Sequence, residues 1–505
     1  MYLHQLVSTS DAVASTRSRT RKIALLSDYI KALEADDLPL GVAYLVGATR
    51  QGRIGIGYAA VNEISRDGAA TAATLRLADV DAHLATLATT TGIGSRHHRR
   101  DVLDDLFRKA TPDEQQFLKR LLLSDMRHGA LDGVMVAAVA AAADVPVAAV
   151  RRAYMLSDDL GAVAAAALQQ ATPALDAFHL RVGRPVQPML ASTAADIPAA
   201  LDGLGPAVID AKIDGARVQV HRSGSNVGVF TRSLRDITTE VPEIVAVVND
   251  LPVDAVILDG EAVSMRPDGR PESFQVTMQR LGDDAGDHHT PMAVRFFDCL
   301  HRDGTNLIDE PLRRRLVEMD AVVPASHVVA RTEVADADQA TTFFDQAVAA
   351  GYEGVVVKSL DAGYEAGRRG AAWRKVKPSH TLDLVVLAVE WGSGRREGWL
   401  SNLHLGARDP DGGFVMLGKT FKGLTDDMLE WQTRRFLELE THRRGHVVYV
   451  EPVQVVEIAF DGVQRSTRYP GGMALRFARV KRYRTDKTAE QADTIEQLRA
   501  IHARS

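Results

Sequence analysis

The sequence predicts a multidomain protein with an all-α N-terminal domain, a central domain of α/β or α+β texture and a small C-terminal β-barrel. Three observations carry this reading. The chain has 505 residues, which is about three domains at roughly 150 residues each. Residues up to about 180 are rich in Ala and Leu at helical spacing. Beyond Gly183–Arg184–Pro185–Val186–Gln187–Pro188, a linker by its prolines and glycine, short β-branched runs take over.

In the N-terminal domain, expected over 1–182, Leu118, Leu121, Leu122 and Met126 recur at i, i+3, i+4 and i+8, one face of a helix. Asp101–Val102–Leu103 and Thr111–Pro112–Asp113–Glu114 read as helix starts, the second with Pro in its first turn. Arg96–His97–His98–Arg99–Arg100 reads as a charge cluster on a loop. The stretch Val134 to Val150 is the most apolar, but Asp144 and Pro146 interrupt it, so it reads as buried helix and not as a membrane span.

The central domain, expected over 187–378, shows strand-like runs at Ala207 to Ile209, Val218 to His221, Ala255 to Leu258, Val294 to Phe297 and Gly354 to Val357. Helical segments, Pro311 to Met319 and Asp338 to Ala350, fall between them. A second boundary lies at Lys377–Pro378–Ser379. In the last domain, expected over 381–505, runs at Leu384 to Val389, Phe414 to Leu417 and Val453 to Ile458 alternate with turns such as Asp409–Pro410–Asp411–Gly412–Gly413, the spacing of a small barrel. Thr488 to Ala500 is expected to be helical.

Composition narrows the class. Cys299 is the single cysteine, which excludes a disulfide framework and a four-cysteine zinc module and fits a reducing cytoplasm. Met1 to Ser10 has no apolar signal core. A net charge of −6 argues only weakly against nucleic acid, because binding depends on a local basic face and not on the average.

Gly413 to Thr420 satisfies GxxxxGK[ST], yet a phosphate loop must follow a buried strand and open a helix. Here a turn precedes the motif and its loop positions, Phe414 to Leu417, form an apolar strand. The motif is read as a hairpin arm.

A different constellation carries chemistry. Lys212–Ile213–Asp214–Gly215–Ala216–Arg217 follows the first central strand, with Asp-Gly as a hairpin signal, so Lys212 ends one strand and Arg217 begins the next. Thr231–Arg232–Ser233, Leu258–Asp259–Gly260–Glu261, Phe296–Phe297–Asp298, Glu353–Gly354–Val355–Val356–Val357–Lys358, Tyr364 to Arg369 and Trp373–Arg374–Lys375–Val376–Lys377 follow in order. Lys375 and Lys377 share one strand face.

This set resembles the covalent nucleotidyltransferases: DNA ligases, RNA ligases and mRNA capping enzymes. Their KxDGxR, DGE, FD, EGVVxK and KxK elements all occur here in the family's order. The resemblance implies an α+β adenylation domain in which Lys212 attacks the α-phosphorus of ATP. A neutral amine is required, so the Lys212 pKa is expected to fall beside Lys375, Lys377 and a metal. Those same cations would stabilise the transferring phosphoryl group. The resemblance places Glu261 and Glu353 on Mg²⁺, Glu261 also near the ribose, Arg217 and Arg232 on ribose or phosphate, Phe297 against adenine and Arg369 near the nucleotide. Asp210 stands where the family usually has a Glu that meets the adenine amino group.

Within that superfamily the chain is most similar to ATP-dependent DNA ligases. Arg484–Thr485–Asp486–Lys487, followed by Glu490–Gln491, resembles their last motif, which implies that Arg484 and Lys487 act on ATP and that the barrel is an OB-fold. Gln51–Gly52–Arg53 to Gly57 and Met126–Arg127–His128–Gly129 resemble their helical DNA-binding domain, which points to Arg53 and Arg127 as DNA contacts. The resemblance implies a cytoplasmic monomer acting on nicked duplex DNA in replication, repair or recombination, with no membrane association. The helical domain and the long last motif speak against a capping enzyme or RNA ligase, and the single cysteine against an NAD-dependent ligase. The intact lysines and glutamates speak against a non-catalytic scaffold.

Overall fold

Apolar residues spaced on one face commit the first 180 residues to helices, and these pack on one another. The computed structural model describes every residue except 53, 63–67, 93, 127, 130–131, 267–270, 273, 282–290, 366–368 and 505, and the side chains of 59, 62, 170, 171, 274, 275, 369, 503 and 504. Helices run from Leu3–Ser15 to Leu160–Asp176 around one core that includes Leu6, Tyr44, Leu84, Phe107, Phe117 and Val139. The start at Thr111 is as expected: its side chain accepts from Glu114 N, Glu114 returns the bond, and Pro112 sits in the first turn. The apolar stretch forms Asp132–Ala143 and Val147–Ser157, divided at Asp144 to Pro146.

One start needs correcting. The helix expected from Asp101 begins at Ser95, so the basic cluster is helical. Gly94, at φ 82°, supplies the left-handed entry, and Asp101 is a mid-helix partner of His97 at i,i+4. Arg99 is not merely solvated, because its guanidinium donates to Ile54 O and Leu87 O.

The central domain holds two five-stranded sheets. One places Ala207–Lys212 between Arg331–Val334 and Gly354–Ser359, with Arg369–Val376 and Leu190–Thr193 beyond. The other orders Asn226–Thr231, Ala216–Ser223, Ala255–Ser264, Met292–Arg302 and Thr305–Asn306, all antiparallel. The Asp214–Gly215 turn is therefore not a hairpin. It carries the chain from one sheet to the other, and Gly215 is needed there because a Cβ would strike Ala262 O.

The C-terminal domain is strand-rich. His380–Trp391 pairs with Leu400–Arg408 on one side and with Val455–Phe460 and Val447–Val450 on the other. Shared use of one long, bulged strand is consistent with an OB-fold, although the pairings among the described residues do not close into a ring. Phe414–Thr420 is a strand paired with Leu400–Arg408, so the phosphate-loop pattern is indeed a hairpin arm. Helix Asp426–Glu438, capped by Thr425, covers the sheet with Phe436. The tail helix is Ile495–Arg504.

The domains touch. Met155 and Leu156 of the helical domain join Val186, Ile257, Leu300, Ile308 and Trp373 in one apolar cluster, and Arg152 pairs with Asp309. No helix among the described residues is long and apolar enough to cross a membrane.

Candidate active site

Strand alternation places Asp210 and Lys212 on the same side of Ala207–Lys212. Both open into a cavity of about 650 Å³ between the two sheets, together with Arg217, Arg232, Glu261, Phe297 and Lys375. Seven of the sequence-predicted residues are thus brought to one place. Arg232 lies at an exposed position in the turn after Asn226–Thr231.

Gly354 pairs with Lys212 across the sheet, and Glu353 N donates to Lys212 O at 2.9 Å. This register puts the Glu353 carboxylate against both the Lys212 and Lys377 ammoniums. Burial alone would lower the Lys212 pKa, but Glu353, with Glu261 and Asp214 behind it, outweighs burial and holds it above the ordinary lysine value. The expectation of a depressed Lys212 pKa is therefore corrected for this state. Lys377 does not face Lys212 as a bare cation but shares its carboxylate. Burial pushes the Glu353 carboxyl up, and the two lysines outweigh it and hold it low.

Glu261 sits within the strand Ala255–Ser264, not after it. Burial pushes its carboxyl up to about 7 against the pull of Lys212 and Arg217, and it lines the same cavity as Lys212. Two carboxylates facing one lysine fit Mg²⁺ as it binds beside a nucleotide, where one or two carboxylates suffice and phosphates and water complete the shell. No cluster of three or more metal-ligating side chains occurs among the described residues, so these two do not make a closed protein cage.

Several parts of the site escaped the sequence reading. Lys358 lies 2.5 Å from Asp210, both nearly fully buried, and its ammonium is 4.4 Å from the ring centres of both Phe297 and Trp373. Burial pushes the Asp210 carboxyl up, and neither of its oxygens is aligned with a hydrogen-bond donor among the described residues. Arg217 donates to Asp259 at 2.6 and 2.9 Å, to Tyr364 Oη at 3.2 Å and to Met189 O. Its guanidinium lies over Phe297 and Trp373. Asp259 is the Asp of the DGE element, so that element's two carboxylates divide: one holds an arginine and the other faces the lysine. Asp298, beside Phe297, is bound by Arg315 at 2.7 and 3.0 Å, with both side chains fully buried. A carboxylate directly after the aromatic pair Phe296–Phe297, with the arginine-rich helix Leu312–Asp320 following, is the local signal for this pair.

The C-terminal domain reaches the site by residues other than those expected. Arg476 Nη1 lies 2.7 Å from Asp214 Oδ2, on the turn after Lys212, and Lys377 is 3.8 Å from Asp461. The structure does not bring Arg484 and Lys487 to the cavity. They bind Asp383 Oδ2 at 2.8 and 2.6 Å, and Arg484 also clamps Asp486. The Arg369 backbone is in register with Leu190 at the strand edge, and its side chain lies outside the described part. Arg53 and Arg127 lie outside the described residues. Their neighbours Gly52, Gly55 and Gly129 all have φ between 65° and 69°, conformations that glycine adopts without strain.

Three family models match successive parts of the chain. Residues 188–377 match the ATP dependent DNA ligase domain, 396–487 the ATP dependent DNA ligase C terminal region and 56–140 the DNA ligase N terminus. A "Probable DNA ligase" of Mycolicibacterium gilvum (strain PYR-GCK) is 54% identical over 511 residues, covering 100% of both chains. One of Beutenbergia cavernae is 55% identical over 512 residues, covering 99% of both. A solved structure named "Pmar-Lig_PreS3" superposes with a TM-score of 0.62 at 20% identity, over 95% of this chain and 99% of that one, and so shares the fold. With identity above one half along its whole length, this chain belongs to the ATP-dependent DNA ligase family.

Proposed function

We propose that the chain seals 3′-hydroxyl/5′-phosphate nicks in duplex DNA through a covalent Lys212–AMP intermediate and a 5′-adenylylated DNA strand. The observation that carries this reading is the placement of Lys212, which stands in a nucleotide-sized cavity between two glutamates, with cations and aromatic rings behind it. In the first step the Lys212 Nζ lone pair attacks the α-phosphorus of ATP, an N–P bond forms and pyrophosphate leaves. Lys212 must give up its proton and its pairing with Glu353 before it can attack. In the second step an oxygen of the DNA 5′-phosphate displaces Lys212. In the third the 3′-hydroxyl displaces AMP and closes the strand.

The remaining residues divide the work. Asp210, Lys358 and Phe297 line the depth of the cavity and suit the base. Arg232, Arg369 and Glu261 serve the ribose and phosphates, and Arg217 forms a cationic floor under them. Lys375 and Lys377 face the transferring phosphoryl group. Mg²⁺ held by Glu261 and Glu353 would supply charge neutralisation at the triphosphate. Arg484 and Lys487 act on pyrophosphate after the C-terminal domain turns, and Arg53 and Arg127 hold the DNA backbone. The protein acts as a monomer in the cytoplasm.

The test is incubation with α-labelled ATP and Mg²⁺ followed by denaturing electrophoresis. A covalently labelled band is expected from the native chain, and none from Lys212→Ala or from Lys212→Arg, whose guanidinium stays protonated. Undiminished labelling of Lys212→Ala would overturn the mechanism.

A further inference from the structure

The segment from Gly462 to Thr485 carries seven arginines and lysines and no acid, in a chain of net charge −6. Four of these cations find carboxylates outside the segment: Arg476 on Asp214, Arg479 on Asp461, Arg482 on Glu457 and Arg484 on Asp383. Arg465 and Arg468 are exposed and have no carboxylate partner among the described residues. Lys481, on the strand Arg479–Arg484, is the third without one. A single exposed arginine is usually only solvated, but these two arginines sit on a built feature.

They stand at the tip of a hairpin whose strands are Gly462–Arg465 and Met473–Arg476. Ser466 to Gly472 close its far end. Ser466 N donates to Gly472 O and Gly472 N to Tyr469 O, each at 2.9 Å, and Arg468 N donates to Ser466 Oγ at 3.2 Å. Gly471 lies so near Val415, Leu417 and Ile495 that a Cβ would come within 3.3 Å of all three. The loop is therefore fixed by its own bonds and by packing on the domain. Beside it opens a cavity of about 690 Å³, lined by Arg465, Ser466, Thr467, Gly472, Met473 and His502 of the last helix. A guanidinium, two hydroxyls and an imidazole face it with no carboxylate among them, a set that suits a phosphate, whose oxygens only accept and carry charge.

The other end of the same hairpin lies beside Lys212. Arg476 is in register with Gly462, and its Nη1 meets Asp214 on the turn after Lys212. Three residues part Arg476 from Met473, about 10 Å at 3.3–3.4 Å per residue. One DNA strand advances about 3.4 Å along the helix axis per nucleotide, so the hairpin spans roughly three nucleotide steps.

We infer that the cavity at the hairpin tip holds one backbone phosphate of the duplex, a few nucleotides from the nick, with Arg465 and the Thr467 hydroxyl as its contacts and Arg468 beside it. This rests on the nick-sealing reading above and adds to it a fixed station on the DNA. A phosphate carries no sequence information, so the contact sets register: it fixes where the nick lies relative to Lys212.

The experiment uses the full chain and a nicked duplex in which single phosphates near the nick, on either strand, are replaced one at a time by neutral methylphosphonate. Equilibrium binding is measured for each duplex. In the native chain one replacement a few nucleotides from the nick is expected to cost about tenfold in affinity. In Arg465→Gln that one penalty shrinks to near unity while those at other positions remain, and the slope of log K against log salt falls by about 1. Arg465→Lys, which keeps the charge, retains the slope and so separates loss of the contact from a folding defect. A set of penalties in Arg465→Gln identical to the native set, or an unchanged salt slope, would overturn the assignment. A native chain that neither labels itself with ATP nor seals the nick would instead overturn the parent reading, so the two failures are distinguishable.

Discussion

Arg484 Nη1 lies 2.8 Å from Asp383 Oδ2, and Lys487 Nζ lies 2.6 Å from the same oxygen. A nearly buried carboxylate thus gathers both cations of the last motif at the root of the C-terminal domain, beside the segment Lys377–Ser379 that joins it to the centre. In this arrangement they are assembled but away from Lys212. Asp383 is therefore an anchor that fixes the two cations relative to one another, and on the proposed mechanism it would do so before the domain turns.

From this, Arg484→Ala, Lys487→Ala and Asp383→Asn should each slow adenylylation of Lys212 by at least tenfold, the scale of one lost charge-assisted contact. Sealing of a nick that already carries 5′-AMP should change little. Paired single-turnover rates, one with ATP and one with pre-adenylylated DNA, decide it. Equal losses in both would show that the three residues serve folding or DNA contact.

Asp298→Ala should remove about 3–5 kcal/mol of stability, because it strands the fully buried Arg315. Phe297 is the next residue, so the KM for ATP should rise as well. Urea unfolding and adenylylation kinetics give the two readouts, and a loss below about 1 kcal/mol would mean that Arg315 finds water or another partner.

His221 gives a pH dependence of stability. Burial, with His301 nearby, lowers its pKa to about 3, whereas an unfolded histidine titrates near 6.5. Between these values the unfolded chain binds the extra proton, so stability rises with pH through the window and levels off above it. At roughly 1.4 kcal/mol per pH unit the acid limb should be steep. His221→Gln should flatten it, as followed by urea midpoints from about pH 4.5 to 7.5. An unchanged slope would place the acid sensitivity elsewhere.

A chain of residues 188–505 should still label itself with ATP, since the cavity lies within it. Its affinity for nicked duplex should fall, with a shallower salt dependence, because phosphate contacts are lost with the helical domain. Filter binding across salt concentrations tests this. An unchanged slope would show that the helical domain serves another purpose. Removal of Met155 and Leu156 also exposes Ile257, Leu300 and Ile308, so the truncated chain should aggregate more readily.

The sequence carried the strands around the site well, because period-two runs such as Ala207 to Ile209 and Gly354 to Val357 are local signals. It carried Lys212, Glu261, Phe297 and Lys375 to one cavity because their motifs are short and ordered. What depends on distant packing was not legible. Nothing local says that Asp214–Gly215 bridges two sheets, or that Lys358 lies between two aromatic rings. The helix Asp426–Glu438 was not legible although Thr425 caps it, because it is a single helix set among strand-like runs. Arg484 was expected at the nucleotide and Arg476 was not, because which cation reaches Asp214 is decided by how one domain sits on another.

The segment between the helical and central domains has a mechanical consequence. Gly183 N donates to His221 Nδ1, and Val186 exchanges hydrogen bonds with Gln219 through both its N–H and its carbonyl. The tether is therefore stapled at its far end, Leu180 is buried in the apolar cluster between the domains, and the length back to Ala177, where the last helix stops, is short. At about 3.3–3.6 Å per residue such a leash lets the helical domain swing through a few nanometres at most. On the proposed function, with the rest of the chain on a nick, the helical domain would search a small volume around that one duplex at high effective concentration. It would close on the DNA already held before it could capture a second molecule.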